Sequence, residues 1–174
     1  RGLELEKEYT LTERRAPDTY AEAESITFKL TQTDSEQKND VFVKSGDTWE
    51  KLEDATVVMQ DAPALDIDKT DVSGNLLPGA TLTIRAEDGT VIDTWATDYK
   101  THRVPISDET IKLSNEENEN VYTLTEDAAP DGFEITSSVQ FKVVSENDGI
   151  MLYVREKSDD EWTRADKRLI TMVD

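Results

Sequence analysis

The chain repeats itself at a fixed offset, and this limits its fold more than any other feature. Tyr9-Thr10-Leu11-Thr12-Glu13 returns as Tyr122-Thr123-Leu124-Thr125-Glu126. Ala16-Pro17-Asp18 returns as Ala129-Pro130-Asp131, and Ser25-Ile26-Thr27-Phe28-Lys29 is answered by Ser138-Val139-Gln140-Phe141-Lys142. Trp49 is answered by Trp162, and Val57-Val58-Met59-Gln60-Asp61 by Ile170-Thr171-Met172-Val173-Asp174. The offset from Tyr9 to Tyr122 equals that from Asp61 to Asp174. Self-similarity at constant spacing is the mark of a modular protein. Residues 1–61 therefore read as the second half of a module seen whole at 65–174, with Ala62-Pro63-Ala64 as a linker at 62–64. Proline fixes its own φ and restricts its predecessor, so this linker is expected to be stiff and the modules to form a rod.

Within each repeat the pattern is β. Leu65-Asp66-Ile67-Asp68-Lys69 alternates apolar and polar up to the lysine, and Ala80–Arg85 alternates as well. Asp88-Gly89 supplies a hairpin turn into Val91–Trp95, and Asp148-Gly149 turns the chain into Met151–Val154. Val121–Thr125, Ser138–Val143 and Leu169–Val173 complete about seven strands, which predicts an all-β, Ig-like or prealbumin-like sandwich. Ser107–Asn120 is polar and acidic apart from Ile111 and Leu113, and reads as a surface excursion with room for one short strand. The first module lacks its opening half. A half sandwich exposes a sheet edge, so residues 1–61 are expected either to be completed by another segment or to belong to a chain only partly represented. The abrupt start at Arg1-Gly2-Leu3, with no visible signal peptide, also reads as a fragment.

Charge and composition remove several function classes. A net charge of -20 argues against nucleic acid and anionic lipid, both of which need clustered Lys and Arg. No apolar run approaches the roughly 20 residues of a membrane span. Cysteine is absent, which rules out disulfides and thiolate metal sites, so a small secreted module would need another staple. The single histidine, His102, precludes a His-based metal cluster and reads as a solvated loop residue before Val104-Pro105. No cofactor is expected.

Three ionisable residues break the apolar faces of their strands. Alternation puts Lys69 on the face of Leu65 and Ile67, Glu126 on that of Tyr122 and Leu124, and Asp174 on that of Ile170 and Met172. Each alone could be a strand-end residue reaching water. Three together are harder to treat as accidents. Burial penalises charge unless it is paired or neutralised. An inward Lys69 is driven toward the free amine, a nucleophile, and an inward Asp174 toward the neutral acid, whose carbonyl carbon can be attacked. Glu126 between them could shuttle the proton, and loss of water would leave a Lys–Asp amide. Such chemistry turns over once and makes a cross-link; it is not enzyme turnover.

At this point a family resemblance becomes specific. Lys69-Thr70-Asp71, Gly74 and Leu77-Pro78-Gly79-Ala80 resemble the opening pattern of Cna B-type (collagen-adhesin B-repeat-like) domains. Tyr122–Glu126 resembles their glutamate strand, Ala129-Pro130-Asp131-Gly132-Phe133 the turn after it, and Ile170–Asp174 their closing strand. The Trp95 strand is also similar to that of the parent domain of the SpyTag/SpyCatcher split protein, whose reactive pair is Lys and Asp. The resemblance implies an isopeptide-forming sandwich with Lys69 as nucleophile, Asp174 as electrophile and Glu126 as catalytic acid/base. Many members carry Asn where this chain has Asp174. In the first repeat, Glu13 and Asp61 match the glutamate and the closing aspartate, leaving Asp61 an unpartnered cross-link candidate. Its lysine would lie before Arg1, Lys7 does not match the lysine motif, and Thr19 replaces the turn glycine seen at Gly132.

The function this implies is a stalk or spacer of a Gram-positive cell-surface adhesin or pilus: secreted, anchored to the cell wall, and partnered by neighbouring modules of the same protein. The rival is a ligand-binding adhesin module that recognises a host matrix protein or glycan through Ser107–Asn120. Asp66, Asp68 and Asp71 lack the Gly and terminal Glu of an EF-hand loop. No cleft is legible around the carboxylates that would suit a glycosidase. Trp49, Trp95 and Trp162 could line a sugar site, but strand packing is the commoner use of such residues.

Overall fold

The structure, a computed structural model, describes residues 2–32 and 39–174 and contains no helix among them. Its strands are β1 (Glu8–Leu11), β2 (Tyr20–Ala21), β3 (Ile26–Gln32), β4 (Asn39–Ser45), β5 (Thr48–Lys51), β6 (Ala62–Thr70), β7 (Thr81–Ala86), β8 (Val91–Ala96), β9 (His102–Pro105), β10 (Leu113–Ser114), β11 (Tyr122–Ala128), β12 (Val139–Glu146), β13 (Gly149–Arg155), β14 (Thr163–Arg164) and β15 (Leu169–Val173). They fall into two compact units. The first comprises residues 1–17 and 22–61, the second residues 18–21 and 62–174.

The first unit is a four-stranded antiparallel sheet in the order β1-β3-β4-β5. Tyr9 and Phe28 face each other across β1 and β3 with ring centroids 5.8 Å apart. The indole of Trp49 takes Lys29 and Lys44, whose Nζ atoms lie 4.7 and 5.9 Å from its centroid. Trp162 does the same in the second unit, with Lys142 and Arg155 at 4.6 and 4.1 Å. These are packing roles, held by cation–π attraction.

The second unit is a prealbumin-like sandwich. One sheet runs β14-β13-β12-β11-β7-β8, with β10 pairing parallel to β12. The other centres on β6, which pairs parallel with β15 and antiparallel with β9 and β2. Alternation decides which side chains meet between them. Leu65 and Ile67 of β6 and Ile170 and Met172 of β15 pack against Leu82, Ile84, Leu124, Phe141 and Leu152. Tyr122 stacks on Phe141 at 5.5 Å, and its hydroxyl accepts the Lys112 N–H, so the ring is buried without an unpaired polar tip. Asp88 closes the β7–β8 turn by accepting the Thr90 N–H at 2.9 Å, with Gly89 at a φ of +85°.

Two sequence expectations shift. Residues 62–64, read as a linker, are the start of β6: Ala62 and Pro63 pair with Ala21 and Tyr20, and Ala64 donates to the Thr19 carbonyl. Pro63 fits because its carbonyl still accepts, from the Ile106 N–H. His102 is in a strand, not a solvated loop. Its ring stacks on Trp95 with centroids 3.9 Å apart, and Nε2 lies 2.8 Å from Asp93 Oδ2. Within the Ser107–Asn120 excursion, Ile111 is fully buried and Leu113 is 39% exposed.

Thr19 has a φ of +71°, and its repeat counterpart Gly132 has +88°. A β-branched residue there is strained by roughly 1–2 kcal/mol, whereas glycine costs about 0.5–1 kcal/mol in chain entropy. Thr19→Gly should therefore stabilise the second unit by up to about 1 kcal/mol. A thermal midpoint unchanged or lowered by the substitution would show that Thr19 is not strained.

Candidate functional site

Lys69 on β6, Glu126 on β11 and Asp174, directly after β15, meet inside the second unit. Their side chains are 0%, 0% and 1% exposed. Lys69 Nζ donates to Asp174 Oδ1 and lies 3.3 Å from Glu126 Oε1. The register of the parallel β6–β15 pair puts Met172 opposite Lys69 and Val173 opposite Thr70, and the Asp174 N–H then donates to the Thr70 carbonyl at 3.0 Å. The lysine and the aspartate are thus brought together by backbone pairing, before any side-chain attraction is counted.

The opening motif fixes the end of β6. The Asp71 carboxylate accepts the Ser73 and Asn75 N–H groups, and its pKa is lowered chiefly by the hydrogen bonds from Asn75. Gly74 takes a φ of +82° in this turn, and the Leu77 N–H donates back to the Lys69 carbonyl. Gly79 packs beside Pro130: a Cβ at Gly79 would sit 3.7 Å from that of Pro130, so the Leu-Pro-Gly-Ala and Ala-Pro-Asp-Gly segments meet here.

Glu126 is aimed by a β-bulge. The β11–β7 register runs from Tyr122–Ala86 to Glu126–Leu82 and then skips to Ala128–Thr81. Bulges re-aim side chains where strands end near a site. Here Glu126 points inward, and Asp127 reaches Thr83 and Arg85, which hold its carboxyl at a pKa of about 2, with the Arg85 hydrogen bond as the main cause. Glu126 Oε2 accepts the Thr136 N–H at 2.7 Å, while the Thr136 hydroxyl donates to the Val173 carbonyl at 3.1 Å. Thr136 thereby ties the glutamate to the strand that carries Asp174. Sequence reasoning missed it because its key contact uses the backbone.

The buried charges do not balance, since one ammonium faces two carboxylates. Glu126 Oε1 and Asp174 Oδ2 are buried without hydrogen-bond partners; the former meets Lys69 only as a charge, outside hydrogen-bond geometry. Buried ions and unpaired acceptors are costly. Transferring the amine proton to a carboxylate removes two charges, and condensing amine with carboxyl removes them permanently.

The first unit holds the matching carboxylates. Glu13 Oε2 accepts the Ala23 N–H at 2.8 Å, at the repeat positions of Glu126 and Thr136. Asp61 lies against Glu13, and its pKa is raised by desolvation first, then by repulsion from Glu13 and a hydrogen bond to it. Lys7 pairs with Glu4 at 3.8 Å and lies 5.9 Å over the Tyr9 ring. Of the three carboxylates weighed as a calcium loop, Asp66 pairs with Arg103 at 2.9 Å and Asp71 caps its turn, while Asp68 Oδ1 is buried without a hydrogen-bond partner.

The structure aligns with that of the pilus adhesin SpaC from Lactobacillus rhamnosus GG in its open conformation. The match covers 95% of this chain and 24% of that one, at 16% identity and a TM-score of 0.39. A C-terminal fragment of the same adhesin aligns over 95% of this chain and 74% of its own, at 17% identity and a TM-score of 0.40. The chain thus spans about a quarter of the open-conformation adhesin. No curated protein matches the sequence. Residues 63–158, more than half of the chain, match the SpaA prealbumin-like fold domain. The chain belongs to the SpaA family of prealbumin-like fold domains.

Proposed function

We propose that Lys69 and Asp174 join through an autocatalytic amide, with Glu126 as acid/base, and that the chain is a hardened stalk segment of a Gram-positive surface adhesin or pilus. The observation that carries this reading is the near-complete exclusion of all three side chains from solvent while they are in contact. Glu126 relays one proton from the Lys69 ammonium to an Asp174 carboxylate oxygen, which leaves a free amine and a neutral acid. Nζ then attacks Asp174 Cγ and the C–N bond forms. Glu126 takes a second proton from the nitrogen and gives it to the departing hydroxyl, so the C–O bond breaks, water leaves and Glu126 is restored. Oriented reactants in a dry site need no external energy source for this step.

A stalk outside the cell, built from repeats and anchored to the wall, is the setting in which a tie that resists reduction is useful to a cysteine-free chain. The competing reading, a host-ligand module, would use the acidic cleft bordered by Glu87, Asp88, Asp108, Glu109 and Glu119. Intact mass decides on the bond. The folded chain should be lighter than its sequence by one water, and digestion should release a branched peptide joining β6 to residue 174. Recovery of both strands as free linear peptides would exclude the bond. Binding of the chain to a host matrix protein or glycan array would favour the rival.

A further inference from the structure

Glu126 serves two partners in turn in the proposed reaction, Lys69 Nζ and an oxygen of Asp174, so its carboxyl must be placed against both. The lysine side of this placement is direct, since Glu126 Oε1 lies 3.3 Å from Nζ. The aspartate side runs through Thr136, on the connection between β11 and β12. Every residue from Asp131 to Ser138 is exposed except Thr136, which is half-buried. Phe133 and Ile135 are 41% and 61% exposed, so side-chain packing does little to anchor this stretch. Among the described residues, the hydrogen bonds that tie Asp131–Ser137 to another strand are both made by Thr136: its N–H donates to Glu126 Oε2 at 2.7 Å, and its hydroxyl to the Val173 carbonyl at 3.1 Å. With Oε2 held, Oε1 is left to carry the proton, and it is the oxygen aimed at Nζ.

We propose that Thr136 is a positioning residue for the Lys69–Asp174 reaction: its hydroxyl fastens to the closing strand, and its N–H then sets Glu126 against both reactants. This rests on the reading of Lys69 and Asp174 as a reacting pair. The peptide unit between Val173 and Asp174 is the common reference. Its N–H donates to the carbonyl of Thr70, the neighbour of Lys69, and its carbonyl accepts from the Thr136 hydroxyl, beside Glu126. A peptide unit is planar and stiff, so these two bonds index the lysine, the glutamate and the aspartate to one rigid body. Neither bond exists until the closing strand lies along β6. Glu126 is therefore set in place by the arrival of the strand that brings Asp174. The repeat separates the two contacts of Thr136. Its counterpart Ala23 donates its N–H to Glu13 Oε2 at 2.8 Å and has no hydroxyl, so the N–H contact forms without the tie. What the hydroxyl adds is the reference to the closing strand. Such references matter to rate, because a misplacement of about 1 Å can cost on the order of 100-fold.

The test follows the loss of water in time. The 174-residue chain is pulse-labelled during synthesis, sampled, quenched in acid and weighed intact. Thr136→Val keeps the shape and the N–H but removes the hydroxyl, and should slow the mass loss by about 10- to 100-fold. Thr136→Ser keeps a hydroxyl and should restore the rate lost in Thr136→Val. A purely structural role is read separately in Lys69→Arg, which cannot join: adding Thr136→Val there removes one hydrogen bond and should lower the thermal midpoint by less than about 8 °C. The proposal is overturned if Thr136→Val joins as fast as wild type, if Thr136→Ser is as slow as Thr136→Val, or if the midpoint in Lys69→Arg falls well beyond that range. Wild type that never loses a water overturns the Lys69–Asp174 reading itself, whereas wild type and Thr136→Val losing it at equal rates overturn the role of Thr136 alone.

Discussion

Lys69→Ala should lower the thermal midpoint of the second unit by on the order of 20 °C and make it extensible under load. Lys69 and Asp174 are 105 residues apart in sequence. By the chain-entropy account of cross-links, closing a loop of that length removes about 4–5 kcal/mol of unfolded-state freedom. For a domain of about 100 residues, each kcal/mol moves the midpoint by roughly 4–8 °C. The substitution also leaves Glu126 and Asp174 as two buried carboxylates with no cation between them, which adds to the loss. Lys69→Arg separates the two effects: it keeps the positive charge but offers no free amine, so it should lose the cross-link while sparing the charge balance. In a pulling experiment, wild type should shield residues 70–173, whereas Lys69→Ala should release about 350 Å of contour at roughly 3.4 Å per residue. Equal contour gains for the two proteins would remove the physical basis of the stalk reading.

Glu126→Ala should fold but leave Lys69 and Asp174 unjoined, so its intact mass should rise to that expected without water loss. β11 remains paired on both sides without this side chain, because β7 and β12 hold its backbone. What disappears is the proton carrier and the bond from the Thr136 N–H. A positioned acid/base accounts for about 10²–10⁴ in rate. Glu126→Gln distinguishes chemistry from positioning. Its amide oxygen can still accept from Thr136, but it cannot carry the proton, so it too should stay unjoined. Complete cross-linking in Glu126→Ala would show that the lysine and aspartate react without assistance.

The site was legible because it lies on strands. Period-2 alternation is strict there, so the inward direction of Lys69, Glu126 and Asp174 followed from Leu65, Leu124 and Met172 beside them. The parallel pairing that sets Lys69 near Asp174 was not in the alternation; the family resemblance implied only that the two residues react. The contacts of Thr136 were illegible for a physical reason: its repeat counterpart is Ala23, and what the two share is a backbone N–H, which every residue but proline has. The bulge at Asp127 was hidden in the same way, since it changes register without an unusual residue. Val104-Pro105 beside His102 read as a loop boundary, but Pro105 ends an edge strand, where its missing N–H costs nothing. Residues 62–64 misled in the same manner, because proline signals turns and strand starts alike.

The pairing of Tyr20 and Ala21 with the start of β6 has a consequence for how such a chain is made. Ala64 N–H and the Arg168 guanidinium both donate to the Thr19 carbonyl, so the second unit is completed by residues encoded before its own repeat begins. A polypeptide leaves the ribosome N-terminus first, and its domains tend to fold in that order. Residues 18–21 are therefore already outside when β6 emerges, and β6 can assemble on that edge. Expression from Ala62 onward would remove that edge and leave the Ala64 N–H without its Thr19 acceptor.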